Sequence, residues 1–284
     1  RNSPGSQAQE VQGSAFPDRY DQHIANAQSI YDRLANKSGL AIKETPAVEK
    51  VLNYPRGSQG EYDGVSQTKF WDCGPASVQA ILAAAGILKC EDWIINEANA
   101  YLSPADDIDT DGTNHAGLLC PLLNRLLPGS GYTEVWIPKT TPQVVETIWK
   151  HVTKSIDAGR GVLVNFEIPP WQGVKTSRGS QPPPYPRGST TYHYVAGLGY
   201  AIDGDGSRHV WIADPAAFGG VTGYWVTIEF LALAIVPHAY AWASTAAPVA
   251  NPVPPITPPP PVVVVPPKPV AQVAELSAKV DRLS

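Results

Sequence analysis

The chain has 284 residues, of which 43% are hydrophobic and 17% charged, with a formal net charge of −5. That apolar content supports one sizeable core plus extensions. The basic residues form no stripe of the kind a nucleic-acid partner needs, and no apolar run approaches the ~18 residues of a membrane span.

In chain order, residues 1–61 are predicted to be an N-terminal extension. Its first 17 residues are polar, without periodicity or an apolar signal-peptide run, and methionine is absent from the whole chain. A primary product begins with methionine, so the chain is expected to be processed or a piece of something longer. Tyr20, Ile24, Ala27, Tyr31 and Leu34 recur at helical spacing, which predicts one amphipathic helix over about 18–36. A polar connector then reaches Tyr62.

The dense domain is expected over 62–247, helical first and strand-rich second. Ser77–Gly86 and Glu91–Ala100 read as helices. A third is expected over Thr141–Ala158, with Thr141 as N-cap and Pro142 at the first helical position. "GVLVNFEI" (161–168), "TYHYVAGLGYAI" (191–202), "HVWIADP" (209–215) and "GYWVTIEF" (223–230) are β-branched and aromatic. "DGDG" (203–206) signals a hairpin. Helices followed by an antiparallel sheet imply an α+β fold. Beyond it, 248–270 is a stiff proline-rich linker. Val273, Leu276, Val280 and Leu283 set out an a/d pattern, so 271–284 reads as the start of a coiled coil and implies self-association.

The chemistry concentrates in "SQTKFWDCGPAS" (66–77). A thiol becomes a useful nucleophile when its pKa falls, and a helix N-terminus and a nearby imidazolium both lower it. Cys73 sits at such a start, with Pro75 suited to the first turn and Gly74 allowing close backbone approach. The competing reading is a small buried core residue. Gln67, six residues upstream, supplies a side-chain amide that can join the Cys73 N–H in stabilising an oxyanion, the spacing papain-like proteases use. Cys90 and Cys120 lack this context and read as structural. The odd cysteine count without a C-x-x-C spacing argues against a disulfide framework and a cysteine zinc site.

Of six histidines, His193 on the 191–202 strand is the expected general base, because small residues follow it and leave room for substrate. His209 borders a polar hairpin and is expected to face solvent. Asp214, at the end of the next strand, can hold the imidazole through Nδ1–H or, with the ring turned, through Nε2–H. Its competing role is a turn former before Pro215. "DIDTDG" (107–112) imitates an EF-hand start, but its twelfth position is Leu118 rather than Glu, so it reads as an acidic loop near the cleft. The loop 172–189 is long enough to be a lid or a substrate-binding flap. No cofactor or metal is expected.

With these motifs in view, "SQTKFWDCGPAS", "TTYHYVAGLGY" and "VWIADP" resemble the peptidase C39-like, papain-fold domains of actinobacteriophage endolysins and tail proteins, tape-measure proteins included. The similarity covers about Tyr62 to Trp242. It implies a cysteine peptidase with Cys73, His193, Asp214 and Gln67 as its site residues, and the peptide part of peptidoglycan as substrate. It also implies a setting in the virion tail or at host lysis, with other virion proteins as partners. A non-catalytic tail component that binds wall peptide or a partner protein is the alternative.

Overall fold

A computed structural model describes residues 47–186 and 188–245. The expected helix at 18–36, the proline-rich linker and the terminal heptads lie outside the described residues.

The centre of the fold is an eight-stranded antiparallel sheet. Its strands are β1 (Val48–Val51), β2 (Tyr132–Trp136), β3 (Val162–Ile168), β4 (Thr176–Ser177), β5 (Thr191–Ile202), β6 (Arg208–Ala213), β7 (Gly223–Thr227) and β8 (Ala239–Ala243). Their spatial order is β2-β8-β3-β5-β6-β7-β4, and β1 pairs with the far end of β5. β5 is long, has neighbours along both edges, and is buried without interruption from His193 to Gly199. A bulge between Gly197 and Gly199 shifts the β5–β6 register. The predicted hairpin at Asp203–Gly206 closes by Gly206 N–H donating to Asp203 O at 2.8 Å.

Among the described residues, five α-helices accompany the sheet: α1 (Cys73–Ala84), α2 (Glu91–Asn99), α3 (Cys120–Leu126), α4 (Pro142–Asp157) and α5 (Ile228–Ile235). α1 is buried over ten consecutive residues, Gly74–Ala83, against β5, β3 and α2. Its sequence accordingly shows little amphipathic alternation. α4 is the opposite case, burying Val145, Ile148, Trp149, Val152 and Ile156 at spacings of three and four. Its Thr141 hydroxyl accepts from Val144 N at 3.2 Å, the predicted cap. Truncating a fully buried residue such as Ile148 is expected to cost about 2–5 kcal/mol.

Four expectations need correction. The sheet begins before the expected boundary at Tyr62, because Val48–Val51 completes the edge of β5 beyond the end of β3. The first half is not purely helical, since β2 lies within it and pairs with β8. Strand 223–230 stops at Thr227, whose hydroxyl caps α5 by accepting from Phe230 N at 3.2 Å. The run "IEFLALAI" is buried enough for either structure, and the cap decides for helix. Finally, His209 is only 5% exposed rather than facing solvent. Its Nδ1 lies 2.9 Å from Ser177 Oγ and its Nε2 3.0 Å from Asp203 Oδ2, so the polar hairpin folds over it.

Candidate active site

Cys73 is the first residue of α1 and half-buried. As a first-turn residue, its N–H has no acceptor within the helix. Asp72 occupies the N-cap position, where a carboxylate ordinarily takes the free N–H groups. Here the Asp72 side chain makes no capping hydrogen bond and instead accepts from Lys69 N at 3.1–3.2 Å. The amide donors at the start of α1 are thus left for another acceptor.

β5 brings His193 to the thiol. The imidazole is 5% exposed and on one side lies near the Cys73 sulfur, which helps to raise its pKa. On the other, its Nε2–H donates to Asp214 Oδ1 at 2.8 Å. Of the two orientations the sequence left open, the ring takes the one with Nε2 toward the carboxylate, which leaves Nδ1 for the thiol. The pairing of Ala196 with Ala213 sets this up, because Asp214 follows immediately and lies beside the β5 segment that carries His193. Burial alone would lower the His193 pKa, but the Asp214 carboxylate and the Cys73 sulfur outweigh it and push it up to about 10.

Asp214 is fully buried and fully satisfied. Oδ1 also accepts from Ala216 N at 3.0 Å, the expected turn role, so one carboxylate both forms the turn and bonds His193. Oδ2 accepts from Tyr185 Oη at 2.6 Å and Tyr224 Oη at 2.8 Å. Burial pushes this carboxyl up, yet the His193 charge and these donors hold it below the usual carboxylate range.

Tyr185 and Tyr224 went unremarked in the sequence. Tyr185 is the aromatic of "PPPYP" in the loop 172–189, and it is buried with its ring edge-on to His193 at 5.7 Å. The loop expected to be a lid or flap is therefore pinned at Tyr185 to the carboxylate that bonds His193. A lone aromatic within a polar, proline-rich loop was the available signal, since an apolar ring in a loop needs something to pack on.

Gln67 belongs to the same assembly. Its backbone N–H donates to Pro215 O at 2.7 Å, joining its segment to that of Asp214. Its Nε2 donates one proton to Lys69 O at 2.6 Å, which leaves the second. The acidic loop also reaches the site. A Cβ on Gly74 would lie 2.4 Å from Thr113 Oγ1, so the residue that follows the loop packs directly on Gly74, next to Cys73. Trp71 is half-buried, packed on the core with the Lys69 ammonium 5.4 Å from its ring centre. Phe70 beside it is 86% exposed.

The other cysteines stand apart from this chemistry. Cys90 precedes α2, and Cys120 is buried with its thiol donating to Ala116 O, burial pushing it up to about 12. Among the described residues, no group of three or more His, Cys, Asp or Glu side chains is arranged to hold a metal, and no helix is long and apolar enough to cross a membrane.

Residues 51–235 match the Peptidase_C39 like family. Among solved structures, the digestive procathepsin L 3 of Tenebrio molitor larval midgut is 12% identical. That match covers 83% of this chain and 96% of the other, with a TM-score of 0.36. Comparison with the curated proteins returned no match.

Proposed function

From a chain that belongs to the peptidase C39-like family, we propose a cysteine peptidase whose nucleophile is Cys73 and whose base is His193, oriented by Asp214. The observation that carries this reading is the buried His193 ring, bonded through Nε2 to Asp214 at 2.8 Å with Nδ1 left for the neighbouring Cys73 sulfur. With the imidazole protonated, the sulfur is the thiolate of an ion pair and attacks the substrate carbonyl. The oxyanion that forms is met by the Cys73 N–H and the remaining proton of Gln67 Nε2. His193 gives its proton to the leaving amine. It then takes one from water, which hydrolyses the thioester and regenerates the pair.

The proposed substrate is the peptide part of bacterial peptidoglycan, and the proposed setting is a phage, in the virion tail or at lysis. The sequence resemblance supports both. The proline-rich linker and terminal heptads suit self-association in a tail. Wild-type protein incubated with purified cell wall is expected to release new amines and carboxyls, and Cys73→Ala to release none. Iodoacetamide at neutral pH should label Cys73 well before Cys90 and Cys120. A wild-type protein that releases nothing from wall material and labels its three cysteines alike would replace this reading with a peptide-binding, non-cleaving tail component.

A further inference from the structure

The segment that carries Gln67 contains no helix or strand; residues 66–72 run through turns and bends into α1. Two buried carboxyl groups hold it. Glu91, the first residue of α2, has no exposed surface, and its Oε2 accepts from Thr68 N at 2.9 Å and Thr68 Oγ at 2.6 Å. Asp72, equally buried, accepts from Lys69 N and lies with Oδ2 3.1 Å from the same Thr68 hydroxyl. Lys69 in turn receives Gln67 Nε2 on its carbonyl. A continuous path of hydrogen bonds therefore runs from the two carboxyls to the Gln67 amide.

The two carboxyl groups converge on the one Thr68 hydroxyl, 2.6 Å from Glu91 Oε2 and 3.1 Å from Asp72 Oδ2, and its single proton can be donated to only one of them. Glu91 Oε1 is buried and finds no donor among the described residues. As a carboxylate it would leave that oxygen unsatisfied in a dry site; as an acid it becomes the donor the pair lacks. The surroundings favour the acid. Asp72 and Asp63 both face Glu91, the latter accepting from its backbone N–H at 3.3 Å, and the Tyr62 phenol lies alongside. The facing cation is the Lys69 ammonium, 4.0 Å from Asp72 Oδ2 and drawn outward to Asp92.

Resting on the catalytic reading above, we propose that Asp72 and Glu91 share one proton and act as positioning residues. Together they hold Thr68 and Lys69, and so keep the Gln67 amide at the oxyanion site. Because Asp72 is turned to Lys69 rather than to the helix, the same arrangement leaves the first N–H groups of α1 uncapped. Burial, reinforced by the neighbouring Asp72 carboxyl and opposed by the two Thr68 donors, carries Glu91 up to about 8. Above that pH two like charges face each other out of water, the loop loosens, and turnover falls.

The test is a pH profile of three forms of the full chain. Wild type is expected to lose kcat through an alkaline limb near 8. Glu91→Gln, which mimics the protonated acid, should retain kcat at pH 7 to within a few-fold and move that limb toward the His193 value near 10. Glu91→Ala should lose roughly 10²-fold in kcat with little change in KM, the pattern of a weakened oxyanion site. An alkaline limb unmoved in Glu91→Gln, or a loss equal to that of the alanine variant, overturns the proposal.

A second readout needs no turnover. An acid stabilised by the fold makes stability fall as pH rises from the unfolded value, ~4.3, toward 8. Glu91→Gln should therefore raise the thermal midpoint relative to wild type at pH 9 but not at pH 4. The 13C-labelled Glu91 carboxyl should titrate near 8. If wild type cleaves nothing while that titration holds, the catalytic reading falls and the proton-sharing pair stands. A carboxyl midpoint near the ordinary value overturns the pair itself.

Discussion

Replacing Asp214 by Asn tests the ion pair at its source. The substitution preserves shape. The amide oxygen can still accept from His193 Nε2 and Ala216 N, and its NH2 can donate to the Tyr185 and Tyr224 hydroxyls, which can rotate to accept. What disappears is the negative charge. The rise of His193 from 6.5 to about 10 corresponds to roughly 5 kcal/mol at about 1.4 kcal/mol per pH unit, with the cost of burial already overcome. Asp214 and Cys73 share the upward push, and Asp214 is the larger of the two. An opposite charge in contact moves a pKa by about 1–3 units, so its removal predicts a fall of roughly 10- to 1,000-fold in ion-pair-dependent reactivity. The assay is the rate of Cys73 alkylation by iodoacetamide from pH 5 to pH 10, alongside kcat/KM on a peptide substrate. Asp214→Asn should label slowly at pH 6 and approach wild type at high pH, where the thiolate forms without help. The circular dichroism spectrum should be unchanged. Equal rates at pH 6 would show that the carboxylate does not sustain the pair, and the mechanism would lose its orienting residue.

Tyr185→Phe and Tyr224→Phe each remove one donor to Asp214 and should each cost about 1.5–3 kcal/mol. Asp214 is held below its ordinary value, so the stability it contributes is present above the unfolded value, ~3.9, and is lost as pH falls through the folded one. Either variant should therefore begin acid unfolding at higher pH than wild type, as thermal midpoints at pH 3–7 will show. Gly74→Ala drives a methyl to 2.4 Å from Thr113 Oγ1 and should cut kcat/KM by roughly tenfold or more by displacing the thiol. Adding Thr113→Ala removes the clashing oxygen and should recover part of the loss. Cys120, buried and raised to about 12, should be the slowest of the three thiols to alkylate in the folded protein, and equal labelling would show that its site is open.

Local chemistry made part of this protein legible from sequence. Thr141 followed by Pro142 announces a helix start wherever the chain is going, and Asp203–Gly206 announces a turn, because caps and turns are satisfied within a few residues. Cys73 before Gly-Pro, with Gln67 upstream, could be nominated as a nucleophile for the same reason. His193 and Asp214 could be nominated because the strands bearing them are joined by a short hairpin. Where the signal was not local, the sequence was silent. Val48–Val51 looks like a connector until the exposed end of β5 offers it a partner. "IEFLALAI" has the apolar content of a buried strand, and only Thr227 at its start tips it to helix. Tyr185, Tyr224 and Glu91 acquire meaning from side chains 29, 10 and 23 residues away, Asp214 for the tyrosines and Thr68 for Glu91. The residue types that can do the chemistry are a property of the sequence. Which buried carboxyl carries a charge and which carries a proton depends on the donors that tertiary packing places around it, because in a dry interior each such group must be matched by contact.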